Sequence, residues 1–246
     1  FKNIRFNSND CKLNDIFFAI SGNIVNGKSY IADAIKNGAK IIISNSKFEG
    51  FNKNKILFIH TKDPRKLLAE AASKFYNKKP KNIIAVTGTN GKTSIANFYY
   101  QILSLNNKNV ASIGTLGVLS KKINLKTKNT TIDPVNIHKI LQKIKENKVE
   151  NVILEASSHG LKQQRLNNIN FNTALFTNLS RDHLDYHKTY KDYFNSKLIL
   201  FKDLLKNKGN IIFDEKIPEA KELIKISKRK KLKMFTFDNN NSFIKI

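Results

Sequence analysis

"AVTGTNGKTS", residues 85–94, is the stretch on which the fold turns. An apolar run from Asn82 to Val86 leads into it, and residues 93–106 leave it with helical periodicity. A strand that breaks into a glycine-rich turn and reopens as a helix aims backbone N–H groups and the partial positive charge of the helix at an anion. In that setting Lys92 would neutralise β- and γ-phosphates, and the Thr93 hydroxyl would take Mg²⁺. The usual phosphate loop, G-x-x-x-x-G-K-[ST], needs a glycine at position 86, where Val86 stands. The stretch is therefore either a short nucleotide loop or a structural turn that contains a lysine. The strand before it and the helix after it favour the loop.

Outward from the loop, strand-like and helix-like segments alternate: "NIIAVT", helix 93–106, "NVASIGT", helix "DPVNIHKILQKIKEN", "NVILEASS", "NTALFTNLS", helix "TYKDYFNSKLILFKDLLK", "GNIIFDE", helix 218–227 and "KMFTF". This rhythm predicts a mostly parallel sheet wrapped by helices. Upstream, "DIFFAI", "AKIIIS" and "KILFIH" read as strands. "SYIADAIKNG" reads as a helix closed by Gly38, and "DPRKLLAEAASKFY" as one opened by Asp63 and Pro64. "NKKPKN", residues 77–82, reads as a linker. The expectation is an α/β chain of two domains, a small one over 1–80 and a sheet domain over 81–246. The second has no clear ending at "NNNSFIKI", and the chain opens on Phe1, so it reads as a piece of something longer.

Among 246 residues, 40% are hydrophobic, enough for a substantial core, and no apolar run approaches a membrane span or a signal peptide. A single cysteine, Cys11, excludes a disulfide framework and fits a reducing, cytoplasmic setting. The net charge of +25 points either to a polyanionic partner or to the lysine-rich drift of an AT-rich genome. The lysines are spread through every segment, with one dense run at 225–233. No aromatic signature of RNA binding interleaves them, which favours the second explanation.

Other residues carry chemistry. Glu155 places a carboxylate in an otherwise apolar strand, a costly position unless it is paired or metal-bound. His159 follows it, and alone reads as a polar loop residue. "TNLSRDHLDYH", residues 177–187, gathers Asp182, His183, Asp185 and His187 after another strand, at the edge where open parallel sheets bind ligands. An Asp-rich helix cap is the other reading of that run.

Together, "VTGTNGKTS", "TTIDP", "LEASSHGLKQQRL", "FTNLSRDHLDYHKTYKDYFNSK" and, near the start, "DIFFAISGNIVNGKSYIADAIKNGA" resemble the Mur ligases of peptidoglycan synthesis, over nearly the whole chain. Within that family the likeness is to the members that add the third residue of the peptide. The loop is similar to the family's short phosphate loop, in which the first glycine of the longer motif is not required. The resemblance implies a UDP-substrate domain followed by an ATP-binding domain, with the family's C-terminal domain beyond Ile246.

It implies an ATP-dependent amide-bond ligase that works through an acyl phosphate, as a cytoplasmic monomer without nucleic-acid or membrane partners. Its substrates would be a UDP-N-acetylmuramoyl-dipeptide and a diamino acid, meso-diaminopimelate or L-lysine. Gly88, Thr89, Asn90, Gly91, Lys92, Thr93 and Ser94 would hold ATP. Lys92, Glu155, His183 and Lys197 would be catalytic; Thr93 and Glu155 would bind one Mg²⁺, and His183 with a carbamylated Lys197 another. Phe6, Ser8, Asn23, Ile24, Val25, Asn129, Thr130, Thr131, Ser157, Gln163 and Arg165 match the positions that bind the UDP-linked substrate. Asn7-Ser8-Asn9 departs from the family's Asp-Ser-Arg, which bears on the uridine contacts. Two alternatives stand beside this: a sibling ligase with another substrate, and a basic P-loop protein that binds nucleic acid.

Overall fold

The computed structural model describes residues 1–22 and 26–237, and the chain divides into two compact units, Phe1–Phe75 and Tyr76–Ile246.

In the first unit, β1 (Ile4–Arg5), β2 (Ile16–Phe18), β3 (Ile41–Ser44), β4 (Gly50–Phe51) and β5 (Leu57–His60) form one sheet in the order β1-β2-β3-β5-β4. Only the β4–β5 pair is antiparallel. Helix α1 (Ile31–Lys36) buries Ala34 against Phe17, Ala19 and Ile42 of the sheet region, and a 3-10 turn over Gly27–Tyr30 precedes it. Gly38 closes it at φ +106°, where a Cβ would stand 2.7 Å from the Leu13 backbone, so both the left-handed turn and the close approach require glycine. Helix α2 (Pro64–Phe75) starts as its sequence indicates, with Pro64 first and the Asp63 carboxylate accepting from Lys66 N at 3.0 Å.

The second unit holds an eight-stranded sheet of β6 (Asn82–Thr87), β7 (Val110–Gly114), β8 (Gly117–Ser120), β9 (Asn124–Leu125), β10 (Asn151–Glu155), β11 (Phe171–Phe176), β12 (Leu205–Asp214) and β13 (Lys233–Phe237). The order is β13-β12-β11-β6-β10-β7-β8-β9, parallel except for the β7–β8–β9 meander, which the sequence did not announce. Its helices are α3 (Lys92–Leu105), α4 (Pro134–Glu146), α5 (Ser158–Lys162), α6 (Leu184–His187), α7 (Tyr190–Ile199) and α8 (Ala220–Lys230).

Successive residues of a strand point to opposite faces, and the two cores divide accordingly. Ile83 and Ala85 of β6, with Val152 and Leu154 of β10, join Ile137 and Leu141 of α4 and Leu223 of α8. Val86 and Ile153 face the other way, onto Ala96 of α3. The sheet is buried on both sides, which explains why β6 and β10 read as continuous apolar runs rather than alternating ones.

One expectation needs correction. The helix expected to run through 189–206 is α-helical only to Ile199; a π-type turn over Leu200–Leu204 follows, and β12 begins at Leu205. Leu200, Phe201, Leu204 and Leu205 are all buried, so the chain must turn successive apolar side chains into one core, which a regular helix does not do. The carbonyls freed by the turn are capped from α8, where Lys230 Nζ donates to Phe201 O at 3.2 Å, to Lys202 O at 3.0 Å and to Leu205 O.

A buried carboxylate organises the first unit. Asp15 is inaccessible and accepts from Arg5 Nε at 3.1 Å, Lys12 N at 3.1 Å and Asn3 Nδ2 at 3.3 Å. Asp15→Ala strips three donors at once and leaves a guanidinium facing an apolar gap, softened because Arg5 is partly exposed. The expected cost is about 2–3 kcal/mol, read as a lower urea midpoint at unchanged slope for this unit. A change within about 0.5 kcal/mol would show that the cluster is not what ties β1 to β2.

Candidate active site

Four adjacent strands, in the order β11-β6-β10-β7, bring their carboxyl ends together, and each delivers a piece of one site. This is the edge at which open parallel sheets bind ligands. From β6 comes the loop. Gly88 takes φ +149° and Gly91, the N-cap of α3, takes +83°, conformations that side chains resist. The residues after β11 clamp the loop from outside. Thr177 Oγ1 donates to Asn90 O at 2.7 Å, while Thr89 N donates to Asn178 O at 2.9 Å and Asn90 N to Asn178 Oδ1 at 3.0 Å. Ser180 N donates to Thr89 Oγ1 at 3.0 Å, and the Tyr193 hydroxyl lies 3.1 Å from the same oxygen.

Glu155 ends β10 and is buried. Thr93 Oγ1 donates to its Oε2 at 2.8 Å, Thr115 N to its Oε1 at 2.8 Å, and Thr115 Oγ1 to Oε2 at 3.2 Å. The close fit comes from Gly114: a Cβ there would stand 2.1 Å from Glu155 Oε1.

Two lysines converge on one carbonyl. Lys92 Nζ donates to Gly88 O at 2.9 Å and Thr89 O at 2.7 Å, and Lys197 Nζ to Gly88 O at 2.7 Å. Burial pushes both pKa values down, and Glu155 and Asp182 oppose this at Lys92. Lys197 is 1% exposed, and its pKa falls to about 7, first through burial and then through the charge of Lys92. Its ammonium also lies 4.4 Å from the centre of the Tyr193 ring.

His183 N-caps the short α6 in a left-handed conformation, its amide donating to Asp182 Oδ1 at 2.8 Å. Its ring meets His159 at 4.9 Å between centroids, and His159 in turn lies against Tyr186 at 4.1 Å and the buried His187 at 5.4 Å. His159 is thus not the isolated loop residue that its sequence position suggested, since it lies in α5 within an aromatic cluster. Burial drives the His187 pKa down to about 4, so that ring is neutral at neutral pH.

Lys92, Thr93, Thr130, Glu155, Ser157, His183 and Lys197 line one cavity of about 170 Å³, together with Thr115, Ser158 and Tyr193. Thr131 adjoins it, its Oγ1 donating to Glu155 O at 2.9 Å and lying 2.9 Å from Ser157 Oγ. Arg165 Nη1 donates to Thr131 O at 2.7 Å and Arg165 Nη2 to Gln163 Oε1 at 2.7 Å. Gln163 Nε2 donates to Tyr186 Oη at 3.1 Å. Asn129 faces a separate cavity bordered by Lys126, Lys128 and Asn136. Ser94 is exposed on the first turn of α3. In the first unit Phe6 is exposed and Ser8 is buried in a 3-10 turn, while Asn23, Ile24 and Val25 lie outside the described residues.

Thr93 Oγ1 and Glu155 Oε2 are the hard oxygen donors that Mg²⁺ takes. Among the described residues no three His, Cys, Asp or Glu side chains form a metal-holding group. Lys197 as a plain amine offers no oxygen. Sequence reasoning missed Gly114, Thr115 and Tyr193; for the first two the available signal was a Gly-Thr pair where a strand ends.

A P-loop at the centre of a mostly parallel sheet, clamped by a neighbouring strand end and facing a buried carboxylate, defines the second unit as a P-loop α/β fold. The chain belongs to the Mur ligase family: residues 86–245 match the Mur ligase middle domain, and residues 1–76 match the Mur ligase family, catalytic domain. It is 43% identical over 224 residues to the UDP-N-acetylmuramoyl-L-alanyl-D-glutamate–2,6-diaminopimelate ligase of Rickettsia montanensis, covering 89% of this chain and 46% of that protein. The Rhizobium meliloti ligase of the same name is 41% identical over 211 residues, covering 85% and 43%. A solved ligase structure with that name superposes at a TM-score of 0.83 and 29% identity, covering 98% of this chain and 50% of that one. The MurF ligase of Thermotoga maritima in complex with ADP, at TM-score 0.60 and 21% identity, shares the fold. The chain spans about half the length of the curated relatives it matches.

Gly88 tests the loop without any ligand. A Cβ there would stand 1.8 Å from Thr177 Oγ1, the hydroxyl that holds Asn90 O. Gly88→Ala combines a strained φ with a broken clamp, and the expected loss is about 2–3 kcal/mol by denaturant unfolding. Faster amide exchange at Thr89 and Asn90 should accompany it. Unchanged protection at those amides would show that Thr177 is not what holds the loop.

Proposed function

We propose that the chain carries the UDP-substrate-binding part (residues 1–80) and the ATP-binding part (residues 81–246) of a cytoplasmic, ATP-dependent amide-bond ligase of peptidoglycan synthesis. The substrate is UDP-N-acetylmuramoyl-L-alanyl-D-glutamate, and the amino acid added is 2,6-diaminopimelate, as the names of the 41–43% identical relatives indicate. The observation that carries the proposal is convergence. The loop lysine, Thr93, Glu155, His183 and Lys197 line the same small cavity as Thr130 and Ser157, two of the residues expected to bind the UDP-linked substrate.

The substrate carboxylate attacks the γ-phosphorus of ATP; the bond to the β-phosphate oxygen breaks, and ADP leaves an acyl phosphate. The amine of the incoming residue then adds to the acyl carbon, and phosphate departs. Loop amides Gly88 to Ser94 bind the phosphates, and Lys92 neutralises charge on the transferring group. Thr130, Thr131, Ser157, Gln163 and Arg165 orient the substrate carboxylate, the guanidinium supplying planar, charge-assisted contacts. Thr93 and Glu155 would hold one Mg²⁺, and His183 with a carbamylated Lys197 would hold another; a cation at either place would offset negative charge on the phosphates. A Lys197 pKa near 7 supports the carbamate, because addition to CO₂ requires a free amine, which an ordinary lysine lacks at neutral pH. The carbamate turns a cation into an anion with two oxygens.

Lys92→Ala in the full-length enzyme should abolish ligation while leaving affinity for the UDP-linked substrate within about threefold, since the lysine serves the transferring phosphoryl group. A loss of substrate affinity as large as the loss in rate would sink the assignment. Lys197→Ala should lose most activity, and formate or acetate at high concentration should restore part of it. Rescue by small amines instead, or near-normal ligation by Lys197→Arg, would remove the carbamate.

A further inference from the structure

Thr115 is the residue at which the two halves of the cavity meet, and no part of the proposed chemistry uses it. Its amide donates to Glu155 Oε1 at 2.8 Å. Its hydroxyl oxygen lies 3.2 Å from Glu155 Oε2, 3.1 Å from Thr130 Oγ1 and 3.3 Å from Thr93 Oγ1. The backbone under it has little freedom, because Gly114 leaves no room for a side chain beside Glu155 and its carbonyl accepts from Thr127 Oγ1 at 3.3 Å. On one side stand the nucleotide groups, Thr93 and Glu155; on the other stands Thr130, in the strap formed by Asn129, Thr130 and Thr131.

A hydroxyl has one proton. The proton of Thr93 is committed by the shortest contact, to Glu155 Oε2 at 2.8 Å. The Thr115 proton therefore has two strong destinations, Glu155 Oε2 and Thr130 Oγ1. Directed at Glu155, it gives that oxygen two hydroxyl donors, and Thr130 spends its own proton on Thr115. Directed at Thr130, it relieves Glu155 of a donor and frees the Thr130 proton for a ligand. These are two discrete arrangements of one rotor, and each half of the cavity prefers one of them.

We infer that Thr115 is a positioning residue that couples the halves: an acidic ligand accepting from Thr130 turns the Thr115 hydroxyl away from Glu155, and so strengthens cation–nucleotide binding at Thr93 and Glu155. The coupling is positive, and by linkage it is the same in both directions. This rests on the ligase reading, which supplies the acidic ligand and the nucleotide.

The test measures affinity for a Mg²⁺–nonhydrolysable ATP analogue in the full-length enzyme, by calorimetry, with and without saturating UDP-N-acetylmuramoyl-L-alanyl-D-glutamate. In the wild type the substrate should tighten nucleotide binding. Thr115→Val should cut that factor about fivefold, the worth of one neutral hydrogen bond, whereas Thr115→Ser, which keeps the hydroxyl, should preserve it. Thr130→Val reaches the same contact from the strap and should give the same loss even if Thr115→Val folds poorly; the double variant should lose no more than either single one. A full coupling factor in both Val variants overturns the inference, as does a wild type that binds both ligands independently. A wild type that binds neither ligand fails the ligase reading and takes the coupling with it.

Discussion

Glu155 is the constraint on which the second unit depends. A carboxylate at the end of a strand buried on both faces is costly unless donors surround it. The donors come from two strand ends on either side of β10, which carries the acid: the Thr93 hydroxyl after β6, and the Thr115 amide and hydroxyl after β7. Those contacts require β6 and β7 to flank β10 in one register, with Val86 opposite Glu155 and Ile113 opposite Leu154. A slip of one residue would turn Glu155 to the other face of the sheet and strand the charge. The acid is thus a structural specification as well as a chemical one.

Against this acid stand two lysines, Lys197 buried and Lys92 half-buried. Lys92 and Lys197 share the Gly88 carbonyl, and the pKa of Lys197 is lowered first by burial and then by the charge of Lys92. Two amines held that close, one of them away from water, are an expensive arrangement when both are charged, and perturbed groups of this kind collect where a ligand of opposite charge belongs. Tyr193 makes it tolerable. Its ring lies beneath Lys197 Nζ, and its hydroxyl reaches the Thr89 side chain, so one buried aromatic residue links the loop to the helix that carries the second lysine.

Much of this was legible in the sequence. β6, β10, β11 and α4 announced themselves by unbroken apolar runs, turn residues and an Asp-Pro start, all signals local to a few residues. Lys92, Thr93 and Glu155 were legible because their chemistry is odd for their positions. Tyr193 was not, because an aromatic residue on a helix looks the same whether it fills a core or props up a lysine. Thr115 was hidden for a related reason: a threonine after a strand acquires meaning only when β10 is known to lie between β6 and β7, and that order is not encoded near residue 115. The π-type turn at Leu200–Leu204 depends on Lys230, which arrives from α8. Local pattern cannot show a cap supplied from so far along the chain.

The missing glycine of the longer phosphate-loop motif has the same kind of explanation. Position 86 belongs to β6, and Val86 is fully buried, paired with Glu155 on one side and Leu175 on the other and packed on Ala96 of α3. Glycine there would remove a β-branched side chain from the centre of the sheet and leave a cavity under the helix that the loop opens. The loop needs its first glycine only where the strand ends, at Gly88. There φ is positive, and Thr177 approaches so closely that no side chain fits. A strand carried two residues further before the turn shortens the loop, and the clamp from residues 177–180 supplies the rigidity that a longer loop would obtain from its own turns.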